Sequence, residues 1–328
     1  NPGELIQSIE ASKRESLSAF GSDEVFIEKY IENPRHIEFQ VVADQHGNYI
    51  HLSERECSVQ RRHQKIIEET PSVALDNELR NEMGNVAIAV CKAANYDNIG
   101  TVEFLLDSNN NFYFLEVNAR IQVEHPITEE TTGLDLVRLQ IEIAESKQLQ
   151  INQSDIIKTG HSIECRIYAE DGNNNFMPSA GKILFLQEPK GNGIRYDSGI
   201  EQGFEVPVFY DPILAKLIVK SNDRETARKK MIEALKQNII LGVNNSIEFM
   251  INILQSEEFI SGNTFTDMLD KNYKKYTRNN EKDLEIALIT ASETDMKPRK
   301  ENYNYQLNVI PEPWQIIGKW EICSSVGN

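Results

Sequence analysis

The chain is short of positive charge: 34 Lys and Arg stand against 51 Asp and Glu, a formal net charge of −17 over 328 residues. A nucleic-acid or anionic-membrane partner asks for a basic surface, so both partner classes are argued against. Cysteine is scarce and scattered. Cys57, Cys91, Cys165 and Cys323 form no CxxC spacing, which indicates neither a zinc site nor a disulfide framework and fits a reducing compartment. No apolar run approaches the length of a membrane span, and no signal-peptide pattern is present.

What is present is a globular composition, 40% apolar, long enough for two domains or one large α/β unit. Residues 4–20 carry Leu5, Ile9, Ser12, Ser16, Leu17 and Phe20 along one side of a predicted helix. Strands are expected near 24–30, 35–44 and 49–60, with Asp44-Gln45-His46-Gly47-Asn48 as a turn. Residues 76–94 read as a helix with Asp76 as N-cap and Leu79, Met83, Val86, Ala87 and Val90 inward. A helix over 134–147 follows. After residue 160 the pattern becomes strands at 162–169, 181–187 and 213–219, then helices at 224–237 and 246–255. Beyond about residue 273 a polar run reads as a linker.

The most informative stretch is Phe114-Leu115-Glu116-Val117-Asn118-Ala119-Arg120-Ile121-Gln122-Val123-Glu124-His125-Pro126. Read as a strand, it projects Glu116, Asn118, Arg120 and Gln122 from one face, with Phe114 in the same row, and turns Leu115, Val117, Ala119 and Ile121 to the other. The run Thr101 to Asp107 supplies a hairpin partner. A four-residue loop over 108–111 would set Glu103 opposite Glu116. Like charges directly opposite each other destabilise a sheet, so a cation held by Glu103, Glu116 and the Asn118 oxygen is one explanation, suited to Mg²⁺ or Mn²⁺. A solvated polar sheet face is the other. The cations Arg55, Arg61, Arg62, His63 and Lys65 form a positive cluster in an acidic chain, which points to a phosphate ligand.

Leu115-Glu116-Val117-Asn118-Ala119-Arg120-Ile121 resembles the ATP-grasp signature shared by biotin carboxylases and carbamoyl-phosphate synthetases. Its extension Gln122-Val123-Glu124-His125-Pro126-Ile127-Thr128-Glu129 is similar to biotin carboxylase in particular. Three further blocks support the resemblance: Glu28-Lys29-Tyr30-Ile31-Glu32-Asn33-Pro34-Arg35-His36-Ile37-Glu38, Glu54 to Lys65, and Gly160 to Asp171. The resemblance implies an α+β or α/β chain in four parts: the second half of an ATP-grasp lid (1–70), the metal- and bicarbonate-binding portion (71–155), a C-terminal lobe (156–273), and a linker with the start of a following domain (274–328). It also implies that the family's Rossmann-like domain and glycine-rich loop lie upstream of Asn1, leaving these residues alone an inactive fragment.

The implied reaction is ATP- and bicarbonate-dependent carboxylation of biotin through carboxyphosphate, the first half-reaction of an acyl-CoA carboxylase of the propionyl- or methylcrotonyl-CoA type. The resemblance implies two Mg²⁺ or Mn²⁺ ions on Glu103, Glu116 and Asn118, and bicarbonate on Arg120, Gln122 and the Val123 N–H. It implies ATP contacts at Glu28, Lys29, Ile31, His36, Gln60 and His63 as well as at Glu103 and Glu116. Glu124 matches the general base, Arg166 the cation that steadies deprotonated biotin, and Lys65 lies near the bicarbonate and biotin end. Asp295-Met296-Lys297-Pro298 is not a biotinylation sequence, so biotin is expected on a separate carrier segment.

The expected partners are a biotin carboxyl carrier domain and a carboxyltransferase subunit, in a homodimer or larger complex. The expected location is the cytoplasm, or in a eukaryote the mitochondrial matrix. A carbamoyl-phosphate-synthetase-like ligase and a non-catalytic assembly unit are the alternatives. Pro311-Glu312-Pro313-Trp314-Gln315-Ile316-Ile317-Gly318-Lys319-Trp320 resembles the segment that follows the biotin carboxylase domain in biotin-bearing subunits.

Overall fold

Eight antiparallel strands form one sheet: β1 (Arg35–Ala43), β2 (Tyr49–Arg61), β3 (Gln64–Thr70), β4 (Asn98–Leu106), β5 (Phe112–Asn118), β6 (His161–Tyr168), β7 (Ile194–Ser198) and β8 (Ile213–Ser221). Their order across the sheet is β7-β8-β6-β3-β2-β1-β4-β5. The helices are α1 (Leu5–Phe20), α2 (Asn77–Ala93), α3 (His125–Thr132), α4 (Leu136–Ala144), α5 (Arg224–Gln237) and α6 (Ile247–Gln255), with shorter turns at Glu257–Ser261 and Met268–Asn272. This computed structural model describes residues 2–273, 276, 286 and 288–290. The chain divides into two units, residues 1–277 and 278–328; in the second, residues 286 and 288–290 are helical. The Met296-Lys297 and Pro311 to Trp320 stretches lie outside the described residues.

Helix packing follows the alternation of the strands. Ile37, Phe39 and Val41 of β1 point to one side, where Leu79, Met83, Ala87 and Cys91 of α2 cover them. Asp76 caps α2 by accepting from Leu79 N at 2.9 Å, satisfying one of the free N–H groups at its start. Val42, Ile50, Leu52 and Ile99 pack with Leu136 and Ile143 of α4. Ile163, Cys165 and Ile167 of β6 join α5 and α6 in the largest core cluster. This leaves Ser162, Glu164 and Arg166 of β6 on the opposite side.

Several expectations change in the structure. Residues 24–30 form no strand, and α1 buries none of its residues, so its apolar stripe has no packing partner among the described residues. Val86 and Val90 are only partly buried on α2. The expected helix over 134–147 begins at Leu136, and α3 just before it was not anticipated. The 181–187 strand is two short pieces, Gly181–Lys182 and Phe185–Gln187, in separate small sheets.

The hairpin of β4 and β5 reaches the expected pairing by another route. Its loop is three residues, 108–110, closed by Asp107 N donating to Asn111 O at 2.9 Å, with Asn110 in the left-handed region at φ 62°. That slips the register by one, so Leu106 faces Phe112. A bulge at Leu115 restores it, and Glu103 faces Glu116. Phe114 thereby moves out of the Glu116 row and pairs with Phe104, while Leu115 joins Glu116 on the cleft side. β5 ends at Asn118, so Arg120 and Gln122 sit in the loop that leads to α3, not on a strand.

Candidate functional site

A cleft of ≈ 1250 Å³ opens on the sheet, and the fifteen residues to which the resemblance assigns a site all line it: Glu28, Lys29, Ile31, His36, Gln60, His63, Lys65, Glu103, Glu116, Asn118, Arg120, Gln122, Val123, Glu124 and Arg166. Four separate stretches of sequence meet here because β1, β2, β3, β4 and β6 are near neighbours in the sheet and their inward rows face the same side.

Lys65 stands at the centre. Its Nζ donates to Glu38 Oε2 at 2.5 Å, Glu103 Oε1 at 2.9 Å and Glu124 Oε1 at 2.8 Å. Burial alone would lower its pKa, but Glu38, Glu124 and Glu103 around it raise the value above the ordinary lysine range. Glu124 is held from the other side by Arg166 Nη2, 2.9 Å from Oε2, and Arg166 Nε reaches Glu68 Oε1 at 2.6 Å. Arg166 is thus a buried strand residue with two carboxylate partners, and desolvation is outweighed by Glu68 and Glu124, which raise its pKa further.

Glu103 collects four donors. His36 Nε2 lies 2.8 Å from Oε2, while Lys65, Asn118 Nδ2 at 3.1 Å and Gln122 Nε2 at 2.8 Å all approach Oε1. Its burial would raise the pKa, but His36 and Lys65 lower it well below the usual carboxylate range. Asn118 Nδ2 also donates to Glu116 Oε1 at 3.0 Å, and Arg120 Nη2 donates to Asn118 Oδ1 at 3.0 Å. One nitrogen atom therefore touches both facing carboxylates, so a cation at that point would touch both as well. Turning the Asn118 amide by half a revolution presents Oδ1 instead, giving the all-oxygen set that Mg²⁺ or Mn²⁺ prefers. The residues fit such an ion. His36, Glu38 and Glu103 also place ligand atoms within 4.8 Å of one another, with Lys65 Nζ donating to both carboxylates.

At the other end of the cleft, Lys29 Nζ donates to Tyr113 Oη at 2.9 Å, and Ile31 is buried while Glu28 and Lys29 are exposed. Gln60 Nε2 faces His36 Nδ1 at 3.5 Å. His63 belongs to a two-residue turn between Arg61 and Gln64, in which Arg62 (φ 50°) and His63 (φ 65°) are both left-handed. That turn matches the twist of a hairpin but is normally built from Asn and Gly. Strain of this kind persists where a site uses it.

The cation cluster read from sequence divides in three dimensions. Arg62, His63 and Lys65 line the cleft, Arg61 turns away to Glu170 at 2.7 Å, and Arg55 is fully buried beneath the floor. Arg55 is the residue sequence reasoning undervalued. Its five N–H groups go to Glu38 Oε1 (2.5 Å), Gln40 Oε1 (2.8 Å), Thr128 Oγ1 (3.0 Å), Thr101 Oγ1 (3.2 Å) and Gln122 Oε1 (3.0 Å). It ties β1, β2, β4, the Gln122 loop and α3 into one floor. Glu38, held at a pKa of about 2 by Lys65 and Arg55 despite its burial, was likewise not singled out. A row of alternating charged residues in β1 and β2 looks like a solvated face until the covering helix is known.

A large antiparallel sheet carrying facing carboxylates beside a cationic cleft is the ATP-grasp architecture. Residues 1–152 match the family model described as the carbamoyl-phosphate synthase L chain ATP-binding domain, and residues 164–271 match the biotin carboxylase C-terminal domain. The chain belongs to the biotin carboxylase family, homologous to the biotin carboxylase parts of acyl-CoA and pyruvate carboxylases. It is 46% identical over 271 residues to the biotin carboxylase of Nostoc sp., covering 83% of this chain and 61% of that one. It is 43% identical over 322 residues to the mitochondrial propionyl-CoA carboxylase alpha chain of Sus scrofa, covering 95% of this chain and 44% of that one. The biotin carboxylase domain dimer of the Hydrogenobacter thermophilus 2-oxoglutarate carboxylase, solved with MgADP, ADP and bicarbonate, superposes with TM-score 0.81 at 44% identity, over 85% of this chain and 62% of that one. The chain thus spans about three-fifths or less of each of these relatives. Among the described residues no helix is long and apolar enough to cross a membrane.

Proposed function

We propose that the protein of which this chain is part carboxylates biotin with ATP and bicarbonate. The observation that carries this reading is one connected run of contacts: Glu116 and Glu103 share Asn118, Glu103 shares Lys65 with Glu124, and Glu124 shares its carboxylate with Arg166. Metal ligands, the Lys65 cation, base and anion-stabilising cation are then adjacent, as a two-step transfer between the same reactants requires.

Divalent ions on Glu103, Glu116 and Asn118 supply charge neutralisation across the ATP phosphates. In this reading Glu28, Lys29 and Ile31 hold adenine, while His36, Gln60 and His63 face ribose and phosphates. Arg120, Gln122 and the Val123 N–H orient bicarbonate as bidentate and neutral donors. As a bicarbonate oxygen attacks the γ-phosphorus and ADP leaves, Glu124 accepts the bicarbonate proton, giving carboxyphosphate, which breaks down to CO₂ and phosphate. Biotin, presented by a carrier segment, passes its ureido proton to the phosphate released from carboxyphosphate, Arg166 steadies the anion so formed, and the ureido nitrogen takes up CO₂. Lys65, bonded to Glu103 and Glu124, lies near the bicarbonate and biotin end.

The same reading divides residues 1–70, 71–155 and 156–273 into lid half, metal portion and C-terminal lobe, and assigns a dimer served by carrier and carboxyltransferase partners. The acceptor is read as an acyl-CoA of the propionyl or methylcrotonyl type from Asn174-Asn175-Phe176-Met177-Pro178-Ser179-Ala180-Gly181 and Phe209-Tyr210-Asp211-Pro212-Ile213-Leu214-Ala215-Lys216-Leu217. Carboxylation by the intact complex of propionyl-CoA, methylcrotonyl-CoA, acetyl-CoA and pyruvate discriminates among them. The test of the central claim is Glu124→Gln in the full-length protein. Bicarbonate-dependent ATP hydrolysis should fall by about 10²–10⁴ with MgATP binding retained; normal bicarbonate kinetics would remove Glu124 from this role.

A further inference from the structure

The loop between β5 and α3 has no ladder partner, yet two of its consecutive peptide groups are gripped from behind. The Gln122 carbonyl accepts from His125 Nδ1 at 2.7 Å and from the His125 backbone N at 3.4 Å. A carbonyl oxygen only accepts, so Nδ1 carries the proton. That carbonyl belongs to the same peptide group as the Val123 N–H. The next carbonyl, Val123 O, accepts from Lys216 Nζ on β8 at 2.7 Å.

Both grips are themselves tied down. His125 Nε2 lies 3.9 Å from Glu129 Oε2, and that oxygen accepts from Arg195 Nη1 at 2.6 Å. Arg195 also makes two 2.9 Å bonds to Asp197, which lies 3.8 Å from Lys216 Nζ. None of these five side chains lines the cleft. Burial, then Lys216 and Arg55, lower the His125 pKa against Gln122 and Glu129, so the ring is a neutral donor near neutral pH.

We infer that His125 and Lys216 are positioning residues for bicarbonate: together they fix the Gln122-Val123-Glu124 backbone so that the Val123 N–H and the Glu124 carboxylate face one anion. The role rests on the reading of this loop as the bicarbonate site. A hydrogen bond accepted at the carbonyl polarises the N–H of the same peptide and strengthens it as a donor. A peptide already aimed costs nothing to reorganise when the anion arrives.

The experiment uses the full-length protein with His125→Leu, His125→Asn and Lys216→Met. Asn places an amide N–H near the position of Nδ1, whereas Leu removes the donor. His125→Leu and Lys216→Met should each raise the bicarbonate KM about tenfold, the effect of one well-placed hydrogen bond, with the ATP KM within about twofold. His125→Asn should recover most of the loss. Amide hydrogen exchange across residues 119–125 judges the grip without any assay, and should quicken in His125→Leu and not in His125→Asn. Unchanged exchange, or bicarbonate and ATP KM values that rise equally, would overturn the positioning role. Quickened exchange in a protein whose wild type shows no bicarbonate-dependent ATP hydrolysis would overturn the site reading and leave only a structural clamp.

Discussion

Glu103 and Glu116 face each other across β4 and β5, and the Asn118 amide stands between them at 3.1 and 3.0 Å. With no cation between them, the Asn118 amide bridges the two carboxylates, while His36 and Lys65 offset the charge of Glu103 from its buried side. Glu116→Gln in the full-length protein should therefore abolish biotin-dependent ATP turnover while leaving thermal unfolding of the metal-free protein unchanged or slightly raised. Turnover near the wild-type level at saturating Mg²⁺ would contradict the ligand role.

Arg166 serves Glu124 and Glu68 at once. Arg166→Gln should cut carboxybiotin formation by about 10²–10³, the usual effect of losing one preorganised donor, and cut biotin-independent, bicarbonate-dependent ATP hydrolysis less. Phosphate release measured with and without free biotin separates the two. Equal losses would make Arg166 a support for Glu124 alone.

Glu164 and Glu68 are paired across β6 and β3, both fully buried, and neither Glu164 oxygen has a hydrogen-bond partner among the described residues. Burial first, and then Glu68, push the Glu164 pKa well above its ordinary value, against Lys216 and Arg166; Glu124 acts in the same direction as Glu68. Glu68 rises to about 7, mainly by burial. A carboxyl whose folded pKa is raised favours folding fully below its unfolded pKa, and that contribution is lost as pH rises toward the folded value. Gln cannot lose the proton. Glu164→Gln should therefore gain stability over the wild type as pH rises above the ordinary carboxylate value of 4.5, read as a widening gap in urea midpoints. Parallel curves would show that Glu164 is ionised and compensated.

Arg55 is the buried counter-ion of Glu38, and its other donors reach four more side chains. Removing Arg55 leaves Glu38 to Lys65 alone and strips the buried Gln40, Thr101, Thr128 and Gln122 oxygens of a donor, so Arg55→Met should cost about 3–5 kcal/mol of stability. Arg55→Lys should recover little, because a single ammonium cannot reach the Glu38, Gln40, Thr101, Thr128 and Gln122 oxygens together. Denaturant midpoints of the two variants check both statements.

Much of the cleft was legible in sequence because period-two alternation and local caps depend on near neighbours. The Asp76 cap, the α2 face, β1, β2 and the Glu103–Glu116 pairing all rest on residues a few positions apart or on one short hairpin. Even there, two departures cancelled: a loop one residue shorter than expected and a bulge at Leu115. The Arg62-His63 turn carries no Gly or Asn signal, so β3, which delivers Lys65 and Glu68, was not anticipated.

By itself, then, the amino-acid order determined which chemistry-bearing side chains exist, the direction in which most strand residues point, and the family to which they belong. Tertiary structure decided which charges are solvated and which are sealed. Nothing in one dimension marks Arg55 and Glu38, Arg166 and Glu68, or Glu164 as buried, which all of them are. Their burial depends on β6 lying beside β3, and on α3 contacting β2, β3, β6 and β8. Those contacts join segments far apart in sequence, as when Lys216 of β8 reaches Val123 across 93 positions. A charged side chain carries no local mark of whether it will meet water or a counter-ion, because the energy that decides it comes from groups that only the folded chain brings near.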